Sequence, residues 1–524
     1  MGTRETERPV KSGAGDTRGP DALAWFLSGY LVIAASAVLA LIDPRLRHWS
    51  IVPVTICGVL MGVDVIGWVR RRYDIFDPQA LLALFGFHFF YLAPVLHVML
   101  QYWARDVAPP PDWQEALGAM ACVNAVGLCI YRLLLLSRTA PRVPRGPALT
   151  VNTRIFVRFG LWLSAVAVCA FGALVMLLDG PAEYLMVVTQ DRSQLAGLGW
   201  LIVIAESFPL LLFTVVVVRW RERLAAQPAA VYLLLLGLIV MQFAAGGLRG
   251  SRSDTVWPVL LGLILVHLLV FTVSRRALLV CGLVAGVFMY LGGLYKAVGT
   301  EVIDIARGAR DVGQVSTQTG RDVPNLLLGD LGRADVQALV LYRQRQGQAE
   351  PGYGITYVGD LSFLVPRAML PERPRNKTAV GTDMLYGTGA FDNGRRSSRV
   401  FGLAGEAILN FGPLGGVVSF LFLGLVVRFA RRHYERARRS PHLPRKLLAP
   451  GLCVGLLLFL GSDLDNVAWF TLKQVVPAAI VLCAALTRVP LSARTGRIAN
   501  DGASRDSPAH AGPFRPVATP MRGG

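Results

Sequence analysis

The sequence predicts an all-α polytopic membrane protein with about twelve transmembrane helices and one large extracytoplasmic loop between spans 9 and 10. Three observations carry this. First, 53% of the 524 residues are hydrophobic and only 17% are charged, against about 25% charged in soluble domains, and mean hydropathy is +0.49. A soluble chain of this length would need far more charged surface. Second, apolar stretches of about 20 residues, the length a bilayer-spanning helix requires, recur along the chain. Third, the one long polar interval, 299–402, falls late and stands alone. The same composition excludes a disordered chain and a secreted disulfide scaffold.

The candidate spans are 22–42, 50–69, 80–100, 114–136, 155–178, 200–218, 231–246, 255–274, 277–298, 403–427, 448–460 and 470–488. The first follows a polar stretch and lacks a small-residue cleavage pattern, so it reads as a span rather than a removable signal. The eleventh is short enough to be tilted or partly re-entrant. The layout is then a disordered cytoplasmic tail (1–21), nine spans (22–298), the loop (299–402), three spans (403–488) and a second disordered cytoplasmic tail (489–524). All seven cysteines fall inside spans, with no CxxC pattern, and read as packing residues.

The net charge of +19 would suggest nucleic acid if it formed one patch. It does not. With alternating sides and a cytoplasmic N-terminus, Arg70–Arg72, Arg138–Arg154, Arg219–Arg223, Arg275, Arg276 and the run from Arg428 to Lys446 all fall on the cytoplasmic side. The other face is left near neutral. This is the positive-inside pattern, so both termini are expected in the cytoplasm and the charge is a topology signal.

The loop shows helical patterning over 323–343 and a second apolar stretch, 361–370, after the Gly-rich segment 351–359. Short helices on the membrane face are expected, with 371–399 irregular.

Ionisable groups in or near the bilayer are costly and are candidates for function. Arg249, Arg252 and Asp254 occupy a tight Gly- and Ser-rich turn between spans 7 and 8. Glycines let backbone approach a ligand closely, and two guanidinium forks suit a phosphate. Arg192 lies in the 179–199 loop with Tyr184 and Asp191. The large loop holds thirteen Lys and Arg, only Lys377 being lysine; Arg367, Arg373, Arg375, Arg395, Arg396 and Arg399 cluster near Lys377. The planar guanidinium favours bidentate phosphate contacts, although the whole chain prefers Arg, with five lysines in all.

Glu406 opens span 10, where a partly desolvated carboxylate suits either proton abstraction or an anchoring hydrogen bond at a helix start. His97 and His48 are the only histidines on the extracytoplasmic side, so a histidine base would be one of these. Glu206 in span 6 reads as a helix–helix polar contact. Asp463 and Asp465 read as a cluster with Lys473. Asp64 and His267 read as packing groups toward the cytoplasm. There is no Walker A sequence, Rossmann fingerprint or HExxH motif, and the first extracytoplasmic loop offers only Asp43. No cofactor and no metal are expected.

The layout resembles the bacterial oligosaccharide repeat-unit polymerases (Wzy type) within the wider O-antigen polymerase and ligase group. The resemblance rests on the architecture, the turn 247–253, the large late loop and the run 405–412, Gly-Glu-Ala-Ile-Leu-Asn-Phe-Gly. It implies a multi-pass enzyme of the bacterial cytoplasmic membrane. Such an enzyme polymerises undecaprenyl-pyrophosphate-linked repeat units on the outer face by metal-independent glycosyl transfer. Glu406 or His97 would then be the base, and Arg192, Arg249, Arg252, Asp254, Arg367, Arg395, Arg396 and Arg399 would hold pyrophosphate or glycan. The partners implied are the lipid-linked glycan, membrane lipid, a chain-length regulator and a flippase, and no nucleic acid. The related ligases tend to use a histidine in an outer loop, and 299–402 has none. An O-antigen-type ligase, a polyprenyl-phosphate-sugar glycosyltransferase and a lipid-linked glycan flippase or transporter remain the alternatives.

Overall fold

The computed structural model describes residues 21–137, 149–189, 195, 197–299, 302–365, 369–397 and 399–488. Both proposed tails lie almost wholly outside these residues, as do Arg192 and Arg367. Eleven of the described helices are long and apolar enough to cross a membrane. This is the only way a lone segment can satisfy its backbone polar groups in hydrocarbon, closed barrels aside. They are Ala22–Ile42, Ile51–Val69, Pro78–Met99, Trp113–Leu136, Thr153–Leu177, Gly199–Ala226, Pro228–Ala245, Arg275–Val298, Gly402–Arg439, Leu443–Gly461 and Leu464–Ala485. Between the seventh and eighth of these lies a shorter apolar helix, Ser253–Leu269. Counting it, the order matches the twelve expected segments, and the numbers span 1 to span 12 are used below in chain order. The expected short eleventh span is a full helix of 19 residues, and span 12 starts earlier than expected, at Leu464.

Local chemistry sets several boundaries. Asp77 caps span 3 by accepting from the N–H groups of Gln79 and Ala80, with Pro78 at the first helical position, where its missing N–H costs nothing. Ser274 caps span 9 in the same way. A short antiparallel pair, Leu149–Val151 with Leu486–Arg488, joins the segment before span 5 to the end of span 12. It fixes those two termini at one end of the bundle, opposite the large loop. At that end Asp64 pairs with Arg132 at 2.8 Å and His267 with Asp74 at 3.1 Å. Of the two groups expected to serve packing, Asp64 is therefore ion-paired, and the His267 ring lies against the Asp74 carboxylate.

Span 10 carries the decisive irregularity. Its 38 residues would run about 57 Å as one helix, well beyond the roughly 30 Å hydrocarbon core. It breaks at Gly412, which has φ +71° and ψ −167° and is followed by Pro413. Proline has no N–H for the Leu409 carbonyl, and Gly412 lies in a region open essentially to glycine alone. The large loop fills the gap: Gln344 Nε2 donates to the Ile408 carbonyl at 2.9 Å, Gly352 N to Leu409 at 3.0 Å, and Tyr353 N to Asn410 at 2.7 Å. The Asn410 side chain extends the seam, donating to Thr356 Oγ1 at 2.6 Å and accepting from Thr356 N at 3.3 Å.

The loop is thereby a packed cap of short helices: Val302–Ala306, Val312–Thr319, Ala334–Arg345, Ile355–Leu361 and Lys377–Tyr386. The last corrects the expectation that 371–399 is irregular. Asn376 caps it by accepting from Ala379 N, a start signal followed by too little apolar periodicity to read as a helix. The patterning over 323–343 splits into a π-helical turn, Asn325–Asp330, and the helix Ala334–Arg345. The core of this cap and of spans 2, 3, 4, 10 and 11 is continuous, from Phe76 and Phe90 through Leu128 to Leu339 and Ile408.

Replacing Gly412 by valine is expected to lower stability by about 1–3 kcal/mol, read as a fall in the unfolding midpoint in detergent. An unchanged midpoint would show that the break is not held by the glycine.

Candidate functional site

Three neighbouring cavities lie on the loop side of the bundle. The first, about 540 Å³, is a groove with almost wholly apolar walls, and Glu406 is the one charged residue on it. Span 10 forms one side on both flanks of its break, with Phe411, Leu414 and Phe422 more than half exposed on the flank of the bundle. The second, about 640 Å³, is polar and shares Ser462 with the groove. The third, about 390 Å³, shares Arg252, Lys296, Asp330 and Arg333 with the second. Among the described residues, the second and third chambers together are lined by nine Lys or Arg against three carboxylates, Asp106, Asp254 and Asp330.

The turn Gly247–Ser253 works through packing. Gly250, at φ +75°, closes the 3-10 turn Gly247–Arg249, and a Cβ on Gly247 would collide with Phe243 and Thr255. The glycines thus pack the turn tightly and present Arg249 and Arg252 to the chamber. The Arg249 guanidinium meets Glu206. Lys473 donates to Glu206 Oε2 at 3.0 Å and to Asp254 Oδ1 at 2.6 Å. Glu206 is thus the acid that holds two cations of the chamber, more than a helix contact, and Lys473 belongs here rather than with Asp463 and Asp465. Arg252 lies along span 9 where Gly292 and Gly293 leave it room; it pairs with Asp330 at 2.9 Å and donates to the Met289 carbonyl at 2.9 Å.

Of the loop arginines, Arg396 and Arg399 line the third chamber. Arg399 meets Asp106, which also accepts from the Tyr386 hydroxyl at 2.7 Å. Arg395 instead lies over the Tyr386 ring, 3.6 Å from its centroid, and lines none of the three cavities. His97 is fully buried, with Nδ1 at 2.9 Å from the Tyr102 carbonyl, and it too lines none of them.

Glu406 makes an anchoring hydrogen bond with one of its two oxygens. Oε2 accepts from Leu464 N at 2.8 Å, anchoring the start of span 12, while Oε1 is buried with no donor. Around it stand Asp360, Asp463 and Asp465. Asp463 Oδ1 accepts from Phe401 N and Gly402 N at 2.9 and 2.7 Å, capping span 10. Lys377 reaches Asp463 at 2.9 Å and Asp465 at 3.3 Å. Burial opposes charge on Lys377, but these two carboxylates hold its ammonium above the usual lysine range. Burial pushes Asp360 up to about 6, against the Lys377 N–H that it accepts and with the Asp465 charge adding to the rise.

Arg333, Lys296, Lys377 and Asp360 are site residues that reading the sequence did not single out for these roles. Arg333 is nearly surrounded by protein, burial holds its guanidinium below the usual range, and Nε has no acceptor. Nothing near these residues in the chain marks them; they meet because span 9, the loop helices and span 12 converge. Only Asn376, a capping residue before Lys377, was a usable signal. No family model, curated protein or solved structure matches the chain.

Lys377→Met leaves Asp463 buried without its cation. The expected cost is about 3–5 kcal/mol, measured as a shift of the unfolding midpoint in detergent; an unshifted midpoint would refute the pairing.

Proposed function

We propose that the chain is a membrane glycosyltransferase that polymerises undecaprenyl-pyrophosphate-linked oligosaccharide repeat units on the outer face of the bacterial cytoplasmic membrane. The observation that carries this reading is an apolar groove, open on the flank of the bundle, beside a chamber lined by cations, the two sharing Ser462 in their walls. A polyprenyl-pyrophosphate glycan has this sequence of parts: hydrocarbon, two phosphates, then sugar. The resemblance of the turn 247–253 and the run 405–412 to repeat-unit polymerases supports the same substrate, and the basic residues at the end opposite the loop support an outward-facing loop.

The chemistry follows from the groups at hand. The bond between the sugar anomeric carbon and the phosphate oxygen breaks, and the pyrophosphate carrier leaves as an anion. A hydroxyl of a second lipid-linked unit attacks that carbon, and its proton passes to Glu406. Arg249, Arg252, Arg333 and Lys473 are already oriented by neighbouring acids or backbone, so they meet the developing charge with little reorganisation, and Lys296 lines the same chamber.

Arg252→Ala and Arg249→Ala are each expected to lower turnover about 10²-fold or more on purified lipid-linked repeat units, with membrane insertion intact. Normal polymer length in both would remove the pyrophosphate role. Glu406→Gln is expected to lower kcat by about 10²–10⁴-fold with little change in KM; unchanged turnover would remove it as base. In cells, loss of the protein is expected to leave single lipid-linked repeat units. Full-length unattached polymer would mark a ligase instead, and lipid-linked units trapped on the inner face a flippase.

A further inference from the structure

Four carboxyl groups meet behind the groove. Asp360 comes from the helix Ile355–Leu361, Glu406 from span 10, Asp463 from the turn before span 12 and Asp465 from its first turn. One ammonium, Lys377, serves Asp463 and Asp465. The other polar groups described around the cluster include Asn466, which donates to Asp465 Oδ1, the Tyr357 hydroxyl, the Asn410 side chain and, further off, Arg333.

A backbone N–H takes up one oxygen each of Glu406 and Asp360. Leu464 N donates to Glu406 Oε2, and Lys377 N donates to Asp360 Oδ1 at 2.9 Å. Among the described residues this leaves three buried oxygens of the cluster without a hydrogen-bond donor, Glu406 Oε1, Asp360 Oδ2 and Asp463 Oδ2, of which only the last has a cation beside it, Lys377 at 2.9 Å. Glu406 and Asp360 are 3% and 4% exposed, and the Asn410–Thr356 hydrogen bonds hold their two helices side by side. Two ionised carboxylates close together and away from water repel strongly, whereas one proton between them satisfies the orphaned oxygens of both.

We infer that Asp360 and Glu406 hold a single proton between them, and that this singly ionised pair, rather than Glu406 alone, accepts the proton of the attacking sugar hydroxyl. The inference rests on the polymerase reading above. One proton lies between the two carboxyls, and transfer proceeds from the arrangement in which Asp360 carries it and Glu406 is ionised. As the anomeric carbon–phosphate bond breaks and the new glycosidic bond forms, the hydroxyl proton passes to Glu406. Both acids are then neutral, and the surplus proton leaves to water before the next cycle.

The test uses the full-length protein in detergent with lipid-linked repeat units. Wild type is expected to show a two-limbed pH profile of kcat, rising as the pair loses its first proton and falling as it loses the second. Asp360→Asn imitates the neutral aspartic acid but cannot ionise. It is expected to keep KM within about twofold and kcat within about tenfold at neutral pH, while losing the alkaline fall. A two-limbed profile identical to wild type would overturn the inference. Infrared spectra give a second, activity-independent readout. At neutral pH the wild-type protein should show the C=O stretch of a protonated buried carboxylic acid, lost in both Asp360→Asn and Glu406→Gln; absence of that band from wild type would also overturn it. A wild type that shows the band yet forms no polymer would instead overturn the polymerase reading and leave the shared proton standing.

Discussion

The break in span 10 at Gly412–Pro413 is the constraint on which the rest of the loop-side architecture depends. A membrane-spanning helix cannot leave carbonyls unpaired in a dry interior, because each costs several kcal/mol. Here the break would orphan carbonyls at the base of the loop, and the loop itself supplies Gln344 Nε2 and the N–H groups of Gly352 and Tyr353. The bonds work in both directions. They permit span 10 to bend, and they fix where 344–353 must lie. Once that seam is made, Asn410 holds the helix Ile355–Leu361 and Asp463 caps Phe401 and Gly402. Asp360, Glu406 and Asp463 are thereby brought to one point.

The same bend shapes the groove. Phe411 and Leu414 lie on either side of it and face the flank of the bundle, while Glu406, less than two turns earlier, faces inward. A straight helix would carry one continuous apolar face past the site. The broken one places an acid at the inner end of a hydrocarbon-lined slot, beside Ser462 and the cationic chamber.

Charge in that chamber is arranged rather than accumulated. Glu206 holds Arg249 and Lys473, Asp254 holds Lys473, Asp330 holds Arg252 and Asp106 holds Arg399. Buried ions need such partners to offset desolvation, and the pairs contribute more to orientation than to net stability. Cations still outnumber acids on the chamber wall, so an anion entering it gains attraction without displacing every pair.

The sequence by itself determined the membrane class, the order of twelve apolar helices and the position of the single large loop, because hydrophobic length is a local property that no neighbour can override. It also exposed Glu406, Arg249 and Arg252, since a charge beside an apolar run stands out against its own flanks. Only the tertiary structure decided the partners. Lys473 could not be separated from Asp463 and Asp465 by reading a segment in which they lie within ten residues; the fold turns it toward Glu206, 267 positions away. Lys377 sat in a polar stretch that read as irregular, and its role exists only because a capped helix of ten residues carries it to Asp463. Arg333 and Asp360 had no mark at all. Ion pairs and orphaned oxygens depend on which helix faces which, and that is settled by the bend in span 10 and the seam across it, not by the order of residues along the chain.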